Sequence, residues 1–205
     1  VLATGGNLVF QGQMDDRFNA YDARTGKRLW SYDAKAPVIA PPISYRVGGR
    51  QYVTVLTGNG TSGGFLGTAL ARYGIDYRTQ ARRVLTFVLD GTATLPDKAR
   101  YVAEAVEDPT FKPDKVAEAH GGDIYNSRCV VCHGGGVAAA GVAPDLRTSA
   151  TVVTPGVFDE IVHGGMLVSQ GMPQFGELTP KDRADLRQFL RAAANDLREQ
   201  GKRAG

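Results

Sequence analysis

Two cysteines with a histidine directly behind the second, Cys129-Val130-Val131-Cys132-His133, constrain this chain more than any other stretch. Two thiols three residues apart can add to the two vinyl groups of a haem, and the adjacent imidazole can reach the iron. C-x-x-C-H therefore reads as a c-type haem attachment site. The competing readings lack what they need. A zinc ribbon requires a second cysteine pair, and this chain has only 2 cysteines. A thioredoxin-like pair follows a strand and has no use for the histidine. Cys129 and Cys132 are the candidate thioether residues, and His133 is the candidate axial ligand.

With both thiols so assigned, no disulfide remains to report on redox compartment. At 205 residues the chain can hold one or two domains. No apolar run is long enough to span a bilayer. The net charge of +3 is spread over interleaved acidic and basic residues, which argues against nucleic acid as a partner. The opening, Val1-Leu2-Ala3-Thr4-Gly5-Gly6, is not a signal peptide; it reads as strand and turn from inside a domain, as if the chain were a piece of a longer protein.

Residues 1–96 alternate short apolar runs with Gly, Asp and Asn, the pattern of antiparallel strands. Strands are predicted over 7–12, 18–22 and 28–32, then a hairpin of 43–47 and 51–57 around Gly48-Gly49, then 82–89. No stretch with helical period interrupts them. From Asp97 the apolar pattern thins, and Pro96, Pro109 and Pro113 accumulate with charges, as in an interdomain tether over 97–114. A short helix over Lys98–Glu107 could form on it. Residues 115–205 then read as helical. A first helix over Lys115–His133 carries apolar Val116, Ile124 and Tyr125, and Gly121-Gly122 permits close helix approach. His120 lies outside the cysteine motif and reads as a surface residue. Thr154-Pro155 starts another helix, with a hydroxyl cap and proline first, and Gly164-Gly165 ends it. Thr179, Pro180 and Asp182 start the last helix. Its apolar stripe is Leu186, Phe189, Leu190, Ala193 and Leu197, with Phe189 expected against Tyr125 and Gly201–Gly205 expected to fray.

Within the β segment, Ala20-Tyr21-Asp22-Ala23-Arg24-Thr25-Gly26-Lys27-Arg28-Leu29-Trp30 resembles the tryptophan-docking motif of pyrroloquinoline-quinone (PQQ) dehydrogenases, A-x-D-x-x-x-G-K-x-x-W. Gly26 supplies the turn, Asp22 bonds local backbone, and Trp30 is a flat plate for packing. Residues 4–12, 41–43 and 51–56 resemble flanking strands of these enzymes. A glycine-rich loop, 58–64, carries Asn59 where that family often has a tryptophan near the quinone. Arg82–Leu89 resembles the strand that closes the ring. Gly171-Met172-Pro173-Gln174-Phe175 resembles the loop that presents a methionine sulfur to iron in class I cytochromes c, and Met172 lies 39 residues past His133. Met166 and His163 are the competitors for that position. Pro144, by the same resemblance, offers its carbonyl to the ring of His133.

Taken whole, the chain resembles the C-terminal portion of a type II quinohemoprotein alcohol dehydrogenase. The implied fold is multi-domain: a partial all-β unit, the last strands of a PQQ-dehydrogenase β-propeller, followed by an all-α class I cytochrome c domain. The resemblance implies haem c held by Cys129 and Cys132, with His133 and Met172 on the iron. A His/Met pair favours ferrous iron and fills both axial positions, which suits electron transfer and not oxygen chemistry. For the complete enzyme it implies PQQ, Ca2+ and a catalytic aspartate, with the aspartate, the calcium ligands and most quinone contacts lying upstream of Val1, and a periplasmic location. The implied partners are the upstream propeller part and a small redox acceptor, a blue copper protein or a cytochrome. Two other readings stay open: a stand-alone cytochrome c whose β segment docks a partner, and a haem sensor with one labile axial ligand.

Overall fold

The computed structural model describes residues 1–58, 73, 80–96, 102–139 and 143–204, and its contacts divide into two units. In the first, β1 (Leu2–Ala3), β2 (Leu8–Gly12), β3 (Arg17–Asp22) and β4 (Arg28–Asp33) form an antiparallel sheet in chain order. A second sheet joins β5 (Ile43–Val47), β6 (Arg50–Thr57) and β7 (Arg83–Val88), again antiparallel and in chain order. The β5–β6 link is the expected two-residue turn. Gly48 and Gly49 have φ of +57° and +79°, the paired left-handed conformation whose twist matches a hairpin. The glycine-rich stretch after Gly58, with Asn59, lies outside the described residues.

Alternation along β6 puts Val53, Val55 and Thr57 inside, while Leu56 faces out. With Phe18, Ala34, Val38 and Leu85 they build this unit's core. Trp30 joins an aromatic group beside it, 5.2 Å from Phe87 edge-on and 5.9 Å from Tyr32 stacked. Asp22 does what its place in the docking motif suggests. Its Oδ1 accepts from the Arg24 and Thr25 amides at 2.9 and 2.8 Å and its Oδ2 from Asn7, and Gly26 takes φ of +70°. These bonds, that of the Thr25 amide first, hold the Asp22 carboxyl below the usual carboxylate range. Gly12 is required for a different reason: a Cβ there would sit 2.0 Å from the Val38 carbonyl oxygen. Gly12→Ala is expected to destabilise this unit by about 2 kcal/mol through forced separation of β2 from the 38 segment. Urea unfolding followed by fluorescence of Trp30, the chain's single tryptophan, measures it.

The second unit is helical: α1 (Lys115–Arg128), α2 (Val130–His133), α3 (Pro155–Val162) and α4 (Pro180–Ala204). Asp114 caps α1, its carboxylate accepting from the Val116 and Ala117 amides at 3.1 Å. α4 opens with a capping box: Asp182 N–H donates to Thr179 Oγ1, and Asp182 Oδ2 accepts from Thr179 N–H at 2.9 Å. α1 and α4 cross in contact at Gly121, where a Cβ would lie 2.1 Å from the Asp185 carbonyl oxygen. One turn on, Tyr125 and Phe189 pack with ring centroids 5.4 Å apart. The core beneath is Tyr125, Val137, Val152, Phe158, Val162, Leu178, Leu186 and Leu190.

Several local expectations differ from what forms. The predicted first helix is broken at Cys129, its C-cap, and restarts as α2; two β-branched valines follow the break and disfavour a continuous helix. Val116 faces solvent. Thr154 precedes α3, but its hydroxyl donates to the Ala150 carbonyl instead of capping. The end of α4 continues to Ala204 rather than fraying at Gly201. Basic Lys202 and Arg203 sit at the negative end of the helix dipole, and Lys202 pairs with Glu199 at 2.9 Å.

No helix forms over the described residues 102–107. Residues 102–114 instead run along this unit and are bonded to it repeatedly. Val106 N–H donates to the Arg147 carbonyl, and its own carbonyl accepts from Arg198 at 2.7 Å. Asp108 takes a two-pronged grip from Arg191, at 2.6 and 3.1 Å, and Lys112 O accepts from Gln188. Arg191 also lies 5.6 Å from the Phe111 ring centre.

Candidate haem site

Cys129, Cys132 and His133 are presented by the break between α1 and α2. Both the Cys132 and His133 amides donate to the Cys129 carbonyl, at 3.2 and 2.9 Å, which winds the motif into a single turn. Cys132 is exposed and Cys129 half-buried. Burial pushes the Cys129 thiol up to about 11, with the neighbouring Cys132 adding to the rise.

His133 is only 7% exposed, and its Nδ1 lies 3.0 Å from the Pro144 carbonyl oxygen, the contact that resemblance implied. A carbonyl can only accept, so Nδ1 carries the proton and the lone pair lies on Nε2. The loop bearing that carbonyl has its own brace. Asp145, beside Pro144, accepts from the Arg147 amide and from two guanidinium nitrogens of Arg147, at 3.0, 3.0 and 2.6 Å. The Asp145 and Arg147 side chains are 6% and 11% exposed, so the pair is largely shielded from water. Sequence reading missed this brace; the short Asp-x-Arg spacing was its only signal.

Tyr125 was read from sequence as merely apolar. Its ring is in the core, but its hydroxyl donates to the Gly134 carbonyl at 2.6 Å, next to His133. Burial pushes this phenol well above its ordinary value, so it stays a donor.

Met172 is half-buried and borders the same core cluster as Cys129 and Val130. Its loop is tied down on the end of α3. Met172 N–H donates to Leu167 O, Phe175 N–H to Val162 O, and Gln174 Nε2 to His163 O at 2.9 Å. The two competitors sit differently. Met166 is 56% exposed, and the His163 side chain is exposed too, while its carbonyl holds Gln174. His120 is engaged elsewhere, its Nδ1 2.7 Å from Asp185 across the α1–α4 crossing.

The donor set fits a haem. Two thiols occupy one turn, an imidazole directs its lone pair away from a carbonyl that fixes the tautomer, and a thioether lies in a loop bordering the same core.

The two units match different known domains. Residues 1–53 match the β-propeller domain of glucose/ethanol/alcohol dehydrogenases, and residues 116–190 match the subunit III family of cbb3-type cytochrome c oxidase. The chain is 37% identical over 96% of its length to the dehydrogenase subunit of a quinone alcohol dehydrogenase from Gluconobacter oxydans, covering 26% of that protein. It is 39% identical to a cytochrome c 1-butanol dehydrogenase from Thauera butanivorans, over 96% of this chain and 28% of that protein. The solved quinohemoprotein alcohol dehydrogenase ADHIIG of Pseudomonas putida superposes with a TM-score of 0.79 at 37% identity, over 98% of this chain and 29% of that one. The chain thus spans about a quarter of the length of its curated relatives. A propeller-type β unit and a cytochrome-type helical unit, joined in one chain, are thus similar over almost the whole of that chain to part of the quinohemoprotein alcohol dehydrogenases.

Proposed function

We propose that this chain is the C-terminal, electron-transferring portion of a PQQ-dependent alcohol dehydrogenase. In this reading residues 1–96 belong to the propeller, 97–114 join the parts, and 115–205 form the cytochrome. Cys129 and Cys132 would hold haem c through thioethers, and His133 and Met172 would take the two axial positions. Bound there, the haem would supply a one-electron couple between a two-electron quinol and an external acceptor. His133 contributes a basic imidazole, kept in one tautomer by Pro144 O. Met172 contributes a soft, weak donor that favours the reduced metal. The catalytic base, the calcium ligands and most contacts to PQQ belong to the upstream part of the complete enzyme, and no catalytic residue is assigned to this chain. The acceptor is a small periplasmic redox protein. Among the described residues no helix is long and apolar enough to cross a membrane.

The observation that carries this reading is the 3.0 Å His133–Pro144 contact, formed directly behind the two thiols in a cytochrome-like unit. Two measurements test it. Haem should stay with the chain in acidified organic solvent; its extraction would rule out the thioethers. Met172→Ala should abolish the weak band at the red edge of the oxidised spectrum. It should also lower the potential by an appreciable part of the ~0.8 V range that axial ligands command. Met166→Ala should do neither, and the reverse pattern would transfer the ligand role to Met166.

A further inference from the structure

His133 is held at three points. Its amide donates to the Cys129 carbonyl and its ring to the Pro144 carbonyl. The third hold comes through the next residue. Gly134 has φ of +83° and ψ of 153°, a conformation that side chains disfavour, and its N–H closes the turn onto Val130 O at 2.8 Å. The carbonyl of Gly134 is turned into the core, where the Tyr125 hydroxyl donates to it at 2.6 Å. A buried hydroxyl and a buried carbonyl satisfy each other there, and neither has water to fall back on.

We propose that Tyr125 is a positioning residue for His133: by gripping the Gly134 carbonyl it fixes the histidine's backbone so that the imidazole keeps its bond to Pro144 O, and through that bond it sets the reduction potential of the iron. The inference rests on the haem reading above. Its logic follows from the hydrogen bonds. If the Gly134 carbonyl loses its donor, the Gly134–Gly135 peptide turns to find another, and Gly134, joined directly to His133, passes the displacement back to the histidine. The Nδ1–H to Pro144 O bond then lengthens, the imidazole becomes a poorer donor, and ferrous iron is favoured.

The test uses the haem-loaded chain. Tyr125→Phe keeps the ring and its packing on Phe189 but removes the donor. Loss of an outer-shell partner typically changes metal-site equilibria by at least ~10-fold. Tenfold for a one-electron couple is a midpoint rise of ~59 mV. Deuterium exchange of the His133 Nδ1 proton should quicken about tenfold in the same variant, by the same loosening. Phe189→Leu disturbs the same packing without touching the hydrogen bond and should move neither reading. Replacing Tyr125 by 3-fluorotyrosine, a stronger donor of nearly native size, should lower the potential and guards against a Phe variant that does not fold. An unchanged midpoint in Tyr125→Phe, an equal shift in Phe189→Leu, or a rise with 3-fluorotyrosine would each overturn the proposal. Absence of thioether-bound haem from the unsubstituted chain would be recognised separately, as failure of the reading beneath it.

Discussion

Gly121→Ala is expected to unfold the helical unit under conditions where the unsubstituted chain is stable. The added methyl would lie 2.1 Å from the Asp185 carbonyl oxygen and 2.9 Å from the Leu186 amide nitrogen, so the obstruction is backbone and cannot move aside as a side chain can. Relief requires α1 and α4 to part, and the same crossing seats Tyr125 against Phe189 and lines up Leu186 and Leu190. The cost is roughly 3 kcal/mol or more, at the upper end for overpacking. For a unit of this size that is a fall in melting temperature on the order of 15 °C. Circular dichroism melts measure it. Gly122→Ala makes a useful contrast, since its Cβ would meet only the Phe189 ring at 3.3 Å, a side chain free to adjust. Equal melting temperatures for the two variants would mean that the helices do not cross as closely as described.

Asp108→Ala comes next in size. Asp108 and Arg191 have side chains 4% and 13% exposed, and removing the carboxylate leaves a guanidinium largely out of water with weaker, neutral partners in Thr110, Gln188 and the Phe111 ring. Breaking a shielded pair on one side costs roughly 3 kcal/mol. Replacing both residues by leucine should recover much of it, because no charge is then stranded. The pair also predicts an acid limb. Hydrogen bonds from Arg191 hold the Asp108 carboxyl below the usual range, outweighing the upward push of burial. A carboxyl lowered in the folded state contributes stability that is complete above its unfolded value of about 3.9 and is lost as pH falls through the lower, folded value. Urea midpoints of the parent should therefore fall faster below about pH 4 than those of Asp108→Ala. Parallel acid limbs would exclude Asp108 as the group responsible.

What the sequence made legible follows how far apart the interacting residues are. The β2–β3–β4 meander, the Gly48-Gly49 hairpin and the Thr179–Asp182 box are written in neighbouring residues, and each forms as expected. Helical spacing of Leu186, Phe189 and Leu190 likewise gave the buried face of α4. The Thr154 hydroxyl had a local partner on either side, and composition alone does not choose between the Ala150 carbonyl and a cap. Contacts made by distant residues were mostly illegible, the packing of Phe189 on Tyr125 excepted. Arg191 and Asp108 are 83 positions apart, and a stretch rich in proline and charge looks equally like a free tether or a bound one. At the site, the cysteine motif announced itself. The Tyr125 hydroxyl did not, because one polar atom on an otherwise apolar ring leaves the hydrophobic pattern unchanged.

The bonds that residues 102–114 make to α4 have a practical corollary for anyone dividing this chain. A cytochrome piece excised at the first helical residue, Lys115, would discard the Asp114 cap, the Lys112 carbonyl that receives Gln188 and the carboxylate opposite Arg191. The severed fragment would carry an orphaned cation and a ragged helix start, and any loss of haem or solubility would reflect the cut. Severing ahead of Val102 keeps the whole clasp with the half that wears it.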